Sequence, residues 1–261
     1  MKKTLLTLTF GLMASTSVFA ADIANPFYQP AKGSFYSDTN VLYQNAANGG
    51  TENAYLAETL SYGLTRKLAV TGTIADNYNL KGRMKKKDNW ANPAWSLGIK
   101  YNLIDCTQTK LKVQVGADYT QGARSLNATY ATAALFDHHS KSFSGYAKVG
   151  YDADGFVPYL AATIIKPIGK FEEKPTYIGR AAAYVGVTDA VSLDAGLDYM
   201  WSSSTDGFGA HAKILAVDGA VYYKLSDAMS LGAKASYVID VNPEFADRDY
   251  YTIGLNLKAT F

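Results

Sequence analysis

Cysteine is almost missing: Cys106 stands alone among 261 residues, so no internal disulfide can form and no paired-thiol metal site exists. A lone thiol is either buried or incidental. Net charge is nearly missing too. The formal balance is +2, with Lys2 and Lys3 alone contributing two positive charges, and this is too little to imply a nucleic-acid partner. After the first twenty residues no segment approaches the roughly 18 continuous apolar residues of a membrane-spanning helix. Glycine-rich phosphate loops and nucleotide fingerprints are also absent, which argues against a nucleotide or redox enzyme. No cofactor and no resident metal are expected.

What is present begins with MKKTLLTLTFGLMASTSVFA, which has a basic start, a short apolar middle and the small-x-small spacing of Val18, Phe19 and Ala20. These features predict a cleaved export signal over residues 1–20 and a mature chain from Ala21. About 240 residues then remain, enough for one large domain, 21–261. Tyrosine (20) and glycine (22) are prominent. Tyrosine suits strands and membrane interfaces, where its ring is apolar and its hydroxyl wet.

Three stretches share one design: YGLTRKLAVTG (62–72), YVGVTDAVSLDAG (184–196) and YYKLSDAMSLGAK (222–234). Each runs from a Tyr-led strand through Thr or Ser and turn-forming residues into a new alternating strand, because these side chains bond nearby backbone groups. YDADGF (151–156) and NLIDCTQTKL (102–111) supply two more reversals. Longer polar segments lie between them, at 46–53, 80–92, 122–141, 167–174, 204–210 and 241–248. The result is about twelve strands with both termini on the short-turn side. Their expected spans are 33–45, 54–64, 68–79, 93–104, 110–121, 142–151, 156–166, 175–187, 191–203, 211–225, 229–240 and 249–261.

Side chains of a strand alternate between faces. In 191–203, Val191, Leu193, Ala195, Leu197, Tyr199 and Trp201 oppose Ser192, Asp194, Gly196, Asp198 and Met200. In 110–121, Leu111, Val113, Val115, Ala117 and Tyr119 oppose Lys110, Lys112, Gln114, Gly116 and Asp118. Two places break the pattern: Glu58 falls on the apolar face of its strand, and 156–166 (FVPYLAATIIK) has no clear polar face. The closing stretch YTIGLNLKATF alternates strictly and ends on an aromatic residue, Phe261.

With short turns, long loops, one charged face and a terminal aromatic, the mature chain resembles the outer-membrane β-barrel superfamily of Gram-negative bacteria. The resemblance implies an all-β fold, a transmembrane antiparallel up-and-down β-barrel of about 12 strands in the bacterial outer membrane. It implies lipid and lipopolysaccharide as surroundings, and recognition of Phe261 by the barrel assembly machinery. The family pattern favours Gly and an aromatic where Asn256 and Ala259 stand.

A barrel of this size leaves a narrow interior, between the filled eight-strand and the open sixteen-strand cases. The expected role is therefore a porin-like channel for small hydrophilic solutes. The pore-lining set is Lys100, Lys110, Lys112 and Lys148 on one arc, Asp194, Asp198 and Asp218 roughly across, and Arg180 beside the acids. Opposed arcs would set up a transverse field, as in ion-sorting constrictions. The same charges could instead pair with one another as a structural network. Two alternatives stay open. Asp137, His138, His139 and Ser140 (FDHHS), with His211, could form a rim hydrolase or hold a metal, although consecutive loop residues rarely make a triad. A closed barrel could bind lipopolysaccharide through Lys81, Arg83, Lys85, Lys86 and Lys87. Asn127-Ala128-Thr129 matches a glycosylation sequon that a bacterial-type export context does not use.

Overall fold

The computed structural model describes residues 22–46, 52–81, 94–104, 109–122, 141–168, 175–202, 212–241 and 250–261. Residues 1–20, Cys106, the basic run beyond Lys81, Asn127, the FDHHS cluster and His211 lie outside the described residues. Among the described residues there are twelve strands: β1 (Phe35–Ala46), β2 (Glu52–Gly63), β3 (Leu68–Lys81), β4 (Ala94–Asn102), β5 (Leu111–Gln121), β6 (Lys141–Tyr151), β7 (Phe156–Pro167), β8 (Thr176–Gly186), β9 (Val191–Ser202), β10 (Ala212–Ser226), β11 (Met229–Val241) and β12 (Tyr250–Thr260). Every end falls within two residues of its sequence-based span. Each strand pairs antiparallel with its chain neighbours, and β12 pairs with β1, so the sheet is a closed up-and-down barrel.

The short turns show why the three related stretches look alike. Thr65 Oγ1 accepts hydrogen bonds from the Lys67 and Leu68 N–H groups at 3.1 and 2.9 Å. Thr188 Oγ1 does the same for Ala190 and Val191 at 3.2 and 3.0 Å. Ser226 Oγ accepts from the Ala228 N–H at 3.2 Å. In each, a hydroxyl satisfies backbone donors that the reversal leaves without a ladder partner. The 151–156 reversal instead places Asp154 at φ 57° and Gly155 at φ 96°, the left-handed region for which an Asp-Gly pair is suited.

The barrel is apolar outside. Ile74, Leu97, Leu160 and Leu255 stand free on its surface, each more than half exposed. Aromatic residues form a girdle at each rim. At the long-loop end Trp95, Tyr119 and Phe143 touch in series with ring centroids 5.6 and 5.3 Å apart, and Tyr177 stacks on Trp201. At the short-turn end Phe35 packs on Tyr62 and on Phe261. Two such girdles around an apolar band are the signature of a barrel that sits in lipid.

Both irregularities of the sequence pattern have local causes. Glu58 does face outward, in regular register between β1 and β3, with no bulge beside it. Its carboxylate accepts hydrogen bonds from the Ser37 hydroxyl at 2.6 Å and from the Thr39 hydroxyl, both outward-facing residues of β1. A charge in the apolar band is thus met by donors on the adjacent strand. The inner face of β7 is Val157, Tyr159, Ala161, Thr163 and Ile165; Val157 and Tyr159 pack on protein, while Ala161 and Thr163 border open space in the lumen. Ala24 and Phe27 form a cluster with Val157, Tyr159, Tyr184 and Tyr222 inside the barrel.

Residues 22–31 therefore occupy the lumen, entering from the short-turn end. Two turns compact the segment: the Asn25 N–H donates to the Asp22 carbonyl and the Tyr28 N–H to the Asn25 carbonyl, both at 2.9 Å. The Asp22 and Asn25 side chains cap the Ala24 and Phe27 N–H groups, also at 2.9 Å. The segment leaves the lumen through a turn with Gly33 at φ 82°. Its root is tied to Gly63: the Gly33 N–H donates to the Gly63 carbonyl at 2.8 Å, and the Gly63 N–H to the Ser34 carbonyl at 3.0 Å. A Cβ on Gly63 would lie 2.0 Å from the Ala31 carbonyl oxygen, so only glycine permits this crossing. Gly63→Val should accordingly unseat the root at a cost of about 2 kcal/mol, seen as a lower unfolding midpoint of the detergent-folded barrel, while Gly179→Val, where a Cβ meets nothing, should leave it unchanged.

Candidate pore lumen

Inward-facing side chains of the twelve strands build the lumen, and most of their charges fall into three groups, apart from Asp118 and Lys112 of β5. The first centres on Arg180 of β8. Register sets Arg180 directly opposite Asp198 of β9, and Asp198 in turn opposite Ala216, one inward step from Asp218 of β10. One guanidinium thereby reaches three carboxylates: Asp198 from Nη1 at 2.6 Å, Asp194 from Nη2 at 3.2 Å and Asp218 from Nη2 at 3.0 Å, with Nη1 also on Asp218. Arg180 Nε donates to the Tyr159 hydroxyl at 3.1 Å, and that hydroxyl donates to Asp194 at 3.0 Å. The planar, multi-donor fork of arginine suits this bridging role in a way a lysine could not. Three carboxylates share one guanidinium, so the group keeps a net negative charge.

The second group lies on β1, β11 and β12. Asp38 accepts from Asn40 Nδ2 at 2.7 Å and from Asn256 Nδ2. Lys234 Nζ donates to Asn40 Oδ1 at 2.8 Å. This explains the departure at Asn256 from the family pattern, since its amide is buried and donates to two side chains of the lumen wall, Asp38 and Asn40, and to the Thr39 carbonyl.

The third group is basic. Lys100 of β4, Lys148 of β6 and Lys258 of β12 point at the lumenal segment. Their ammonium groups donate to the carbonyls of Tyr28 at 3.2 Å, Pro26 at 2.7 Å and Ala24 at 3.3 Å. Lys148 also lies over the Phe27 ring, 5.4 Å from its centroid, and Lys258 over the Tyr222 ring at 4.4 Å.

Lys110 and Lys112, expected beside Lys100 and Lys148, are placed elsewhere. Lys110 precedes the first residue of β5 and is exposed at the turn, where it pairs with Asp154 at 3.0 Å and does not line the lumen. Its hydrogen bond to that carboxylate raises its pKa above the ordinary lysine range. Lys112 faces inward but at the short-turn rim, paired with Asp152 at 3.2 Å. Residue parity is preserved in both cases, and depth along the barrel decides the difference. The acidic residues Asp194, Asp198 and Asp218 do come together, yet around Arg180 and not as a free arc.

Sequence reasoning missed residues 22–31, Lys258 as a member of the basic group, and Tyr159 as the link between Arg180 and Asp194. One signal was available: two apolar faces on β7 require apolar matter on both sides of the wall. Beside the segment the lumen retains a cavity of about 430 Å³, bounded by Tyr28, Asp38, Lys100, Asp118, Lys148 and Arg180 among others. A second space of about 200 Å³ lies between Tyr159, Arg180, Asp218 and Lys234. Spaces of this volume lined by both signs of charge can hold and orient hydrophilic solutes.

Solved structures of similar architecture include an outer-membrane channel and two porins. An outer-membrane channel from Pseudomonas putida F1 superposes with a TM-score of 0.61, covering 94% of this chain and 100% of that one at 13% identity. The NanC porin gives 0.57, covering 85% and 98% at 7% identity, and the KdgM porin 0.50, covering 84% and 97% at 7%. Likeness at such identities is one of fold: the chain shares the closed, up-and-down barrel architecture of these proteins. No protein-family model matches the sequence, and no curated protein matches it either.

Replacing Arg180 by Gln leaves three carboxylates facing one another inside the wall. Allowing for partial hydration of the lumen, this should cost about 2–3 kcal/mol of stability, measured by urea unfolding of the folded barrel. Adding Asp198→Asn and Asp218→Asn to that variant should recover most of the loss.

Proposed function

We propose that this protein is a channel of the bacterial outer membrane through which small hydrophilic solutes or ions diffuse passively. The supporting observation is the sidedness of a closed sheet: an apolar band between two aromatic girdles faces outward, and charged and hydroxyl-bearing residues face a lumen that keeps open space. A barrel built only as a scaffold would fill its interior with paired or apolar side chains. Twelve strands enclose too much room for that, and the lumenal segment narrows the path without filling it. The role is binding and passage, with no bond made or broken. Export removes residues 1–20, the outer face meets lipid and lipopolysaccharide, and Phe261 at the end of β12 serves as the mark read during barrel assembly.

The decisive measurement is single-channel recording of the detergent-folded chain in a planar bilayer. Discrete, reproducible and small current steps are expected, and silence from protein shown to be folded would overturn the proposal. Neutralising Asp194 and Asp218 together (Asp→Asn) removes two of the charges around Arg180. The reversal potential in a salt gradient should then move toward anion preference. An unchanged potential in an open channel would mean that ions do not pass near Arg180.

A further inference from the structure

Lys100, Lys148 and Lys258 come from three separate strands, yet all three end on backbone carbonyls of one ten-residue segment. Backbone carbonyls satisfy these buried cations only in part. A carbonyl oxygen carries only partial negative charge, and a carboxylate or phosphate would make the stronger charge-assisted bonds. The segment offers no carboxylate to these lysines, because Asp22 is turned onto the Ala24 N–H at 2.9 Å. Four lysines line the cavity, Lys100, Lys148, Lys234 and Lys258, with Asp38 and Asp118 among them, while Arg180 is engaged by Asp194, Asp198 and Asp218. Asp38 is already held by Asn40 and Asn256, and Asp198 by Arg180.

Next to the cations the segment fills an apolar seat. Phe27 is 3% exposed and meets Tyr159 edge-on at 5.9 Å, with Val157, Tyr184 and Tyr222 completing the hollow. Gly150 forms its floor, since a Cβ there would lie 2.7 Å from the Phe27 ring. A ring in an apolar seat beside oxygen atoms on three ammonium groups is the pattern an organic acid would present.

We infer that the lumen holds a binding site for small organic anions with an apolar or ring-bearing body, and that residues 22–31 occupy it as an internal stand-in. Phe27 takes the place of the solute's body, and the carbonyls of Ala24, Pro26 and Tyr28 take the place of its anionic oxygens. Solute and segment compete for the same cations, so the solute's arrival lifts the segment and widens the path. The site deepens the channel reading above and rests on it.

Benzoate is a suitable probe, with acetate and benzyl alcohol as controls that each carry half of the recognised chemistry. Binding is measured calorimetrically on detergent-folded protein whose fold is verified by its heat-dependent electrophoretic shift. Single-channel conductance is recorded on the same samples. The chain lacking residues 22–31 should bind benzoate several-fold more tightly than the full chain and better than either control, and it should conduct more. Phe27→Ala in the full chain, which empties the seat while keeping the root at Gly63, should move both quantities in the same direction. Lys100→Gln, Lys148→Gln and Lys258→Gln in the shortened chain should abolish the preference for benzoate over benzyl alcohol. A folded, conducting shortened chain that ignores benzoate would overturn the site and leave the channel standing. Benzoate binding by folded chains that never conduct would support the site and overturn the channel.

Discussion

Everything in this molecule depends on the seam between its first and last strands. In lipid, each backbone N–H and C=O without a partner costs several kcal/mol, so a spanning sheet has to close on itself. Here β1 and β12 pair from Tyr36–Thr260 to Ala46–Tyr250, and beyond them Phe35 and Phe261 exchange both backbone hydrogen bonds, at 2.7 and 3.0 Å. The terminal aromatic therefore closes the ladder at the same place where its ring packs on Phe35 in the rim girdle. Closure also sets the lumen. Once twelve strands are joined, every second residue is committed to the interior, whatever its charge.

That commitment creates the problem that the interior then solves. Charged groups inside the wall need partners. The acids around Arg180 share one guanidinium, Asp38 is held by amides, and Lys110 and Lys112 find aspartates of the turn at the rim. Lys100, Lys148 and Lys258 are supplied by a piece of chain that precedes the barrel. The same segment covers Val157 and Tyr159 on the inner face of β7, which water would otherwise wet. One short element thus meets two needs, and both are local consequences of which residues the pleat turns inward.

The faces and the turns were legible because their causes are short-range. Alternation follows from strand geometry, and the Thr and Ser turn hydroxyls act on donors two or three residues away. Glu58 was legible as an outlier, but its remedy was not, since Ser37 and Thr39 come beside it only through the β1–β2 register. Lys110 and Lys112 show the other limit. Their parity places them on the charged face, whereas their distance along the barrel axis, which depends on where β5 begins, puts them at the rim.

The sequence by itself determined a chain of twelve alternating strands with short turns at one end, an apolar outer surface and a charged interior. Periodicity and turn chemistry carry that information residue by residue. Only the tertiary structure decided which interior charges meet. Arg180 reaches Asp218 across 38 positions, and Lys258 reaches Ala24 across 234. Such partners are chosen by closure and shear of the whole sheet, and no local pattern encodes them. The same holds for the lumenal segment: residues 22–31 have no periodicity of their own, and they take their place because a closed wall with an apolar stripe and three inward lysines surrounds them.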